Sequence, residues 1–598
     1  MASRLVERGV VVTISAGNSG EHGPFYASNG SSGKNVIAVA STESNAVASP
    51  PFKATFSLNG VSNTTVLAYQ PPLGVFLWNL NKTLPIIPIS TDFNDDACNP
   101  LPSTTPDLTQ GIALVRRGNC EYNKKETNLV KLGAKYILYY NDDEQVGGPW
   151  STTPGVLVGL IDKKAGEDII ATVRAGGNVT ADFSNPTDST WVVDFNNTIG
   201  GLPSYFTSWG PTFDLDIKPD IAAPGGHILS TYIGGGFTVL SGTSMSCPYV
   251  AGVAALYIGK YGGRSVHGPG FAKDLANRII TSGSSVPWQT KQPSEKAVDY
   301  GFWAPVAQVG NGFLDAWKIL SYETSLTYDK FTLNDTAHFS RYHKVQITNN
   351  GNKAVTYNFT LQPAGGFNAA SPNGIFIADL TTISPQSMVP TVSFPTGNFI
   401  VKPGETKTAQ INFEAPTGLN ETQLPVYSGK ILITGDNGEQ LSVPYLGAAF
   451  DLKAQARSKM FPPSTPRQIS GPYNQDIDVY HVYAFNISRE AQDYPHIYTQ
   501  YYWGVNQLRW DLFEAGWKES QWKYPPVVGE NGYVGSVAYS AESRTGCIFN
   551  PDTMNRSDVI SFPVSDLTRS SNLDWSLNSF CWLGNLANGS YIAPGNYT

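Results

Sequence analysis

The sequence has little charge and little cysteine. Asp, Glu, Lys and Arg make up 15% of its 598 residues, and five residues are cysteine. No run of 18 apolar residues occurs, so we expect no membrane span. The net charge is −8 at pH 7 and no basic stripe is present, which argues against nucleic acid as a partner. The His-Glu-x-x-His spacing of a zinc peptidase is also missing.

Glycine, proline and aromatic residues are abundant instead. The chain has 58 Gly and 41 Pro, and 12% of its residues are Phe, Trp or Tyr. This composition is typical of loop-rich and strand-rich extracellular proteins. The length predicts three or four domains, each with enough apolar content for its own core.

One stretch, residues 241–256, predicts a glycine turn that opens a buried helix with the sequence SGTSMSCPYVAGVAAL. Ser244 would lie at the helix start, beside backbone N–H groups that lack intrahelical acceptors and at the positive end of the helix dipole. That place favours a nucleophile whose reaction creates a negative oxygen. The alternative interpretation is a serine that only caps a core helix.

A second stretch lies near the beginning. Residues 10–14 are a β-branched run, which predicts a central strand of a parallel sheet, and the run ends in the glycine-bounded turn AGNSG. The polar amide of Asn18 would then follow a buried strand, where ligands bind in open α/β sheets. The alternative interpretation is that Asn18 only stabilises the turn.

The two strings together resemble the nucleophile and oxyanion-hole segments of subtilisin-like serine proteases (subtilases). The resemblance implies that Ser244 is the nucleophile and that its backbone N–H and the Asn18 side chain stabilise the oxyanion. It implies a serine endopeptidase that hydrolyses protein or peptide substrates through an acyl-enzyme on Ser244. No cofactor is expected, no metal ligand is assigned, and calcium binding is left open.

The remaining triad residues have no match. In subtilases the Asp strand and the His helix precede the oxyanion Asn, but the 17 residues before Asn18 contain neither Asp nor His. No histidine lies in a His-Gly-Thr-His string, and Asp220 lies in a segment that resembles a structural turn of the family. No triad Asp or His is therefore assigned, and we expect this chain to be nearly inactive. The alternative is a non-catalytic secreted glycoprotein that binds protein or cell-wall ligands.

The expected fold class is multidomain. It combines an α/β subtilisin-like parallel sheet with helices, an inserted β-rich domain that resembles the protease-associated (PA) domain, and C-terminal antiparallel β-sandwich domains. We expect a sequence truncated at both ends, of the large fungal extracellular type, because residues 1–12 are no signal peptide and residues 593–598 resemble a strand just beginning. The expected domains are a catalytic domain at 1–54 and 191–322, an insertion at 55–190 with a PA core at about 85–175, a fibronectin-III-like sandwich at 323–450, and a further β-rich, incomplete domain at 451–598.

Within the expected sandwich, two alternating runs flank an Asn-Asn-Gly turn. The runs cover residues 342–348 and 355–361. Alternation around such a turn predicts an antiparallel hairpin.

Sequons and cysteines indicate a secreted glycoprotein whose signal peptide is lost with its N-terminal part. Proximity in sequence favours the bridges Cys98–Cys120 and Cys547–Cys581, although four cysteines allow three pairings. Cys247 is expected to be a free thiol, and association with a cell wall is left open. The Asn-x-Ser/Thr sequons are at Asn29, Asn63, Asn81, Asn178, Asn196, Asn334, Asn358, Asn420, Asn486, Asn555, Asn588 and Asn596.

Overall fold

The computed structural model describes the chain in four regions. Its description leaves out residues 1, 29, 73–77, 79, 81, 93–95, 119, 143–148, 185–191, 198, 234–235, 292–297, 373, 375, 459, 463–464, 471–474, 478–480, 490, 542–547 and 571–577. Asn29, Asn81, Cys547 and the side chain of Asn196 therefore lie outside the described residues. Within the described part, no helix has the length and apolar character needed to cross a membrane.

The first region holds one short helix and the start of a parallel sheet. Thr13 of its first strand pairs with Ile37 of the second. All seven residues of that second strand are buried, as expected for an apolar run between two layers. The elements are α1 (Ala2–Glu7), β1 (Thr13–Ser15), β2 (Ile37–Glu43) and β3 (Ala46–Ser49).

The second region is a mixed sheet with two helices, one between β7 and β8 and one between β9 and β10. Its strand order is β5-β4-β10-β6-β7-β8-β9, in which β6 to β9 are parallel and the others antiparallel. β11 pairs with β3, Val192 opposite Ser49, so the chain leaves and returns side by side. The elements are β4 (Pro51–Leu58), β5 (Val61–Ala68), β6 (Thr83–Pro88), β7 (Ile112–Arg116), α2 (Tyr122–Val130), β8 (Tyr136–Tyr140), β9 (Leu157–Ile161), α3 (Lys163–Arg174), β10 (Asn178–Asp182) and β11 (Val192–Asn196).

The third region completes the first sheet and adds the long helix. Ile221 pairs in parallel with Val39, which gives the order β1-β2-β12. The elements are β12 (Ile221–Gly226), β13 (Ile228–Tyr232), β14 (Gly236–Leu240), α4 (Thr243–Tyr261), α5 (Arg264–His267), α6 (Phe271–Thr281), α7 (Val306–Val309) and α8 (Ala316–Ser321).

Two expectations about this sheet are wrong for the described residues. β1 is an edge strand and its three residues are half-buried, because its second side pairs with no described strand. Helix α4 is buried on one face only. Val250 and Val253 pack on β2 and β12, whereas the Leu256 side chain is 62% exposed. The three-stranded sheet covers a single face of the helix, so the small residues on its other side meet solvent.

The fourth region begins with a β-sandwich. A four-stranded sheet, β15-β17-β22-β20, faces a second sheet in the order β16-β24-β23-β18-β21, in which β19 also pairs with β23. The elements are β15 (Thr324–Tyr328), β16 (Phe331–Asn334), β17 (Tyr342–Asn349), β18 (Val355–Pro363), β19 (Phe367–Asn368), β20 (Thr391–Ser393), β21 (Phe399–Val401), β22 (Thr406–Glu414), β23 (Pro425–Gly435) and β24 (Gln440–Ala448).

The predicted hairpin in this sandwich is wrong, although both strands exist. β17 pairs with β15 and β22, whereas β18 pairs with β21 and β23. The turn between them carries the chain from one sheet to the other. Alternation identifies a half-buried strand, but both inner faces of a sandwich alternate, so the pattern cannot identify the partner strand.

Short antiparallel pairs make up the rest of the chain. One sheet has the order β26-β25-β27-β34, and the other strands form the pairs β28-β33, β29-β30 and β31-β32. The elements are α9 (Leu452–Ser458), β25 (Arg467–Ser470), β26 (Gln475–Asp476), β27 (Pro495–Thr499), β28 (Val505–Leu508), β29 (Asp511–Phe513), β30 (Tyr533–Ser536), β31 (Ala538–Ser540), β32 (Val559–Ser561), β33 (Val564–Leu567) and β34 (Asn578–Cys581).

The Cys98–Cys120 disulfide closes a loop in the second region. Its Cα atoms lie 5.8 Å apart and its cysteines are separated by 22 positions. Cys581 is also disulfide-bonded, but Cys547 lies outside the described residues, so that pairing stays a prediction. Cys247 is a free thiol.

We predict that the double substitution Cys98→Ser with Cys120→Ser lowers the free energy of unfolding of the second region by about 3 kcal/mol, the chain-entropy value for a loop of this length. Urea unfolding followed by far-UV circular dichroism measures it. Cys247→Ser is the matched control because Cys247 closes no loop. Equal effects of the two changes would contradict the prediction.

Candidate active site

The nucleophile turn, residues 241–243, joins the end of β14 to helix α4 and lies against the end of β12. Gly242, the residue before the helix, donates its N–H to the Gly225 carbonyl at 2.8 Å. A Cβ on Gly225 would lie 2.0 Å from the Ser246 Oγ, so this approach requires glycine. Ser244 is the second residue of the helix and is exposed. Its hydroxyl therefore meets solvent beside the first-turn N–H groups, which have no intrahelical acceptor.

Asn18 lies against this turn. Its side-chain Oδ1 accepts hydrogen bonds from the Thr243 N–H at 2.9 Å and from the Thr243 hydroxyl at 2.8 Å. The same hydroxyl accepts from the Gly17 N–H at 3.2 Å. With its oxygen held, Asn18 turns its Nδ2 toward the helix start, 3.3 Å from where a Cβ on Gly242 would lie.

The Asn18 amide thus contacts Thr243, the first residue of helix α4 and the neighbour of Ser244. The structure brings Asn18 to a turn 225 positions away in sequence, as the resemblance implied. Donors fixed in this way stabilise a negative oxygen because they need no reorganisation when charge develops.

Sequence reasoning missed two supporting residues. Thr243, which is fully buried, orients the Asn18 amide through both of its groups. Ser208 accepts from the Ser19 N–H at 3.0 Å and donates its own N–H to the Gly17 carbonyl at 2.9 Å. The string around Ser244 contains Thr243, so that signal was available, whereas nothing local marks Ser208.

Comparison with known families gives two matches. Residues 117–292 match the subtilase family, and residues 331–446 match an Fn3-like domain. The chain contains a subtilase domain. The subtilase match includes Ser244, and the Fn3-like match falls inside the described sandwich.

Several bacterial peptidases are similar to this chain. The PIII-type proteinase of Lactococcus lactis subsp. cremoris is 28% identical over 57% of this chain, and the C5a peptidase of Streptococcus pyogenes is 33% identical over 39% of it. The chain spans 18% and 19% of the length of these two relatives. Among solved structures, an aminopeptidase from Aneurinibacillus sp. strain AM-1 is 22% identical. The match covers 23% of this chain and 30% of the aminopeptidase chain, with a TM-score of 0.17.

Each of the seven histidines of this chain has a contact with a residue other than Ser244. His227 comes nearest in the hydrogen-bond network, because its N–H donates to the Ser241 hydroxyl at 2.9 Å, but its ring is bonded to Glu43 at 3.1 Å. Among the described residues, no hydrogen bond joins Ser244 to a histidine. The remaining contacts pair His22 with Glu21, His267 with Tyr261, His338 with Asp335, His343 with Ser340, His481 with Asp493 and His496 with Ser579.

Asp220 has a structural environment. The carboxylate is buried and accepts from Lys218 at 2.8 Å, from Lys330 at 2.9 Å and from the Ala38 N–H at 2.7 Å. Burial alone would raise the pKa of Asp220, but the charges of Lys218 and Lys330 hold it below its usual value. Because Lys330 lies next to the sandwich strand β16, this ion cluster ties the subtilase sheet to the Fn3-like domain. Among the described residues, no group of three or more His, Cys, Asp or Glu side chains is placed to bind a metal.

We predict that Asp220→Asn lowers the free energy of unfolding by about 3–5 kcal/mol, because it removes the buried counter-charge of Lys218 and leaves Lys330 only Asp216, at 3.8 Å. The matched control is Asp168→Asn, which breaks the exposed pair with Lys164 and should change stability little. Urea unfolding measures both. A small, equal effect of the two substitutions would contradict the structural role of Asp220.

The same cluster has a defined pH dependence. Because the folded pKa of Asp220 is lowered, its contribution is fully present above the unfolded value of about 4 and is lost as the pH falls through the folded pKa. We therefore expect the stability difference between the wild type and Asp220→Asn to shrink below about pH 4. A difference that grows with acidification would contradict this sign.

Proposed function

We propose that this chain supplies the nucleophile and the oxyanion hole of a secreted serine endopeptidase that cleaves proteins or peptides. One observation carries the proposal. The side-chain oxygen of Asn18 accepts from Thr243, so the side-chain N–H of Asn18 faces the turn before helix α4, whose second residue is the exposed Ser244. The subtilase match and the relatives named as proteinases and peptidases support the same reaction class.

The reaction assigns a role to each group. Ser244 Oγ attacks the scissile carbonyl, and the carbonyl electron pair moves onto its oxygen. The Asn18 N–H and the Ser244 backbone N–H stabilise that oxyanion. Collapse expels the amine and leaves an acyl-enzyme, which water hydrolyses.

The rate of attack by Ser244 depends on a base that removes its hydroxyl proton. A histidine oriented by a carboxylate takes this proton in serine proteases. The described histidines form hydrogen bonds with other residues, so we propose that this chain hydrolyses peptides only at a low residual rate.

We propose that the inserted sheet, with a core at about 85–175, is a PA domain. Its parallel strands β6 to β9, the two helices α2 and α3 and the Cys98–Cys120 bridge support this assignment. Since β3 and β11 lie side by side at its base, the insertion separates Asn18 and Ser244 in sequence without separating them in space.

We propose secretion and glycosylation of the sequons. A disulfide is typical of oxidising compartments. The exposure of most described sequon asparagines supports this proposal. Asn334 is half-buried, and the exposed sequon residues are Asn63, Asn178, Asn358, Asn420, Asn486, Asn555, Asn588 and Asn596.

The alternative function is a non-catalytic secreted protein that binds protein or cell-wall ligands. The contacts of the histidines away from Ser244 favour it. A natural gene product that binds peptides but does not cleave them would establish this alternative over the peptidase.

We predict that, in a full-length protein that supplies a triad histidine and carboxylate, Ser244→Ala lowers kcat on casein-derived peptides by a factor on the order of 10⁶. Asn18→Ala should lower kcat by about 10²–10³ with little change in KM, because its donor acts on the transition state. Ser321→Ala, a serine at the end of helix α8, is the control. Wild-type turnover by Ser244→Ala would refute the assignment.

A further inference from the structure

The loop that follows Asn18 is held by several parts of the chain. We call residues 18–26 the Asn18 loop. From its own domain, the Phe206 carbonyl accepts from the Gly20 N–H at 2.8 Å and the Trp209 carbonyl accepts from the Tyr26 N–H at 2.9 Å. These bonds hold both ends of the loop but leave the carbonyls of His22 and Pro24 at its tip for other donors.

A single arginine from the C-terminal region reaches those carbonyls. Arg569 donates from Nε and Nη2 to the Pro24 oxygen at 3.0 and 2.7 Å, and its Nη2 also donates to the His22 oxygen. Its guanidinium carbon lies 5.0 Å from the centre of the Tyr26 ring. Arg569 and Pro24 are 545 positions apart in sequence. The rigid fork of a guanidinium suits two neighbouring carbonyls, which a lysine would reach with one flexible group.

Arg569 is buried, so its charged group must be satisfied by hydrogen bonds within the protein. The residue is 1% exposed, and its remaining described hydrogen bond goes to the Ser570 carbonyl at 3.1 Å. Burial lowers its pKa to about 9, and Tyr26, Tyr502 and Asp379 offset part of that cost. A buried cation is tolerated only when hydrogen bonds satisfy it. The loop carbonyls therefore stabilise Arg569, as Arg569 stabilises the loop.

Two further contacts pack the Asn18 loop against the C-terminal region and against the sandwich region. Phe25 has φ 59°, unusual for a bulky side chain, and is buried edge-on against Trp503 with ring centres 5.2 Å apart. A Cβ on Gly23 would lie 2.2 Å from the Ala378 oxygen of the sandwich region. Such a conformation persists only where its surroundings determine it.

The path from Arg569 to Asn18 is short. His22 donates its N–H to the Ser19 carbonyl at 3.2 Å, and Gly23 donates to the Gly20 carbonyl at 2.9 Å. This single turn of 3₁₀-helix, Gly20–His22, connects the carbonyls held by Arg569 to the residue after Asn18. A shift of His22 would therefore move Ser19, and with it the direction of the Asn18 amide.

We infer that Arg569 is a positioning residue for the oxyanion hole: the region at 451–598 acts as a brace that fixes the Asn18 loop, and not only as a separate binding module. The catalytic meaning of this inference rests on the proposed function. The bracing itself does not, because it is a property of the loop without substrate.

The test is hydrogen exchange of the full chain, read by mass spectrometry on peptides that cover residues 17–28. Arg569→Ala should speed exchange in this loop by about tenfold or more, while peptides from β23 and β24 keep wild-type rates. The matched control is Arg556→Ala, because Arg556 also donates to a carbonyl, that of Leu583, and lies over a tyrosine, Tyr591, within the same region. It should leave the Asn18 loop unchanged.

Chemical rescue distinguishes a positioning role of Arg569 from a general contribution of Arg569 to stability. Millimolar guanidinium should restore slow exchange to the loop of Arg569→Ala, and equal ammonium should not, because only the planar fork reaches both carbonyls. The exchange rate of the Asn18 loop in Arg569→Lys should lie between those of the wild type and Arg569→Ala.

Three outcomes overturn the inference: wild-type exchange in a folded Arg569→Ala, acceleration spread evenly over the whole chain, or an equal loop effect from Arg556→Ala. None of them depends on turnover, so failure of the brace and failure of the peptidase proposal are distinguishable. A loop loosened in Arg569→Ala would stand even if Ser244→Ala kept activity.

Discussion

Two hydrogen bonds from Thr243 to the Asn18 side-chain oxygen are the constraint on which the site depends. They join the turn after β1 to the start of helix α4, and they decide which end of the Asn18 amide faces Ser244. An amide is useful in an oxyanion hole only as a donor, so its oxygen must be satisfied elsewhere. Thr243 satisfies it from within the nucleophile turn, so the donor and the nucleophile move together.

The surrounding sheet and its connections hold the contact between Thr243 and Asn18 in place. β2 lies between β1, which leads to Asn18, and β12, whose Gly225 carbonyl accepts from Gly242 in the nucleophile turn. The inserted sheet leaves and returns through the paired strands β3 and β11. Outside the sheet, Asp220 with Lys330 and the Asn18 loop with Arg569 connect the subtilase fold to the regions that follow it. Each connection has a buried charged group, the Asp220 carboxylate in one and the Arg569 guanidinium in the other, and such groups tolerate little displacement of their partners.

What the sequence predicted well was local. Ser244 and Asn18 each lie in a short string whose turn, glycine and polar residue have to be contiguous for the chemistry to work. The pair Cys98 and Cys120 is close in sequence, and the structure contains that bridge.

What the sequence did not predict was the partner of each local element. β17 and β18 alternate as strands should, yet they lie in different sheets. Helix α4 reads as buried, yet one of its faces meets solvent among the described residues. Arg569 is one arginine in a loop, and only the folded chain shows that it holds Pro24. Contacts across hundreds of residues leave no periodic signal, so the pattern of a segment does not reveal them.

The central claim is that Asn18 and the helix start stabilise negative charge at position 244. The most direct measurement is the thiol pKa of Ser244→Cys, in a Cys247→Ser background, from the pH dependence of its alkylation by iodoacetamide. The account predicts a pKa at least about one unit below the ordinary value of about 8.5, and a return toward that value when Asn18→Ala is added. A pKa at or above 8.5 that Asn18→Ala does not move would contradict it.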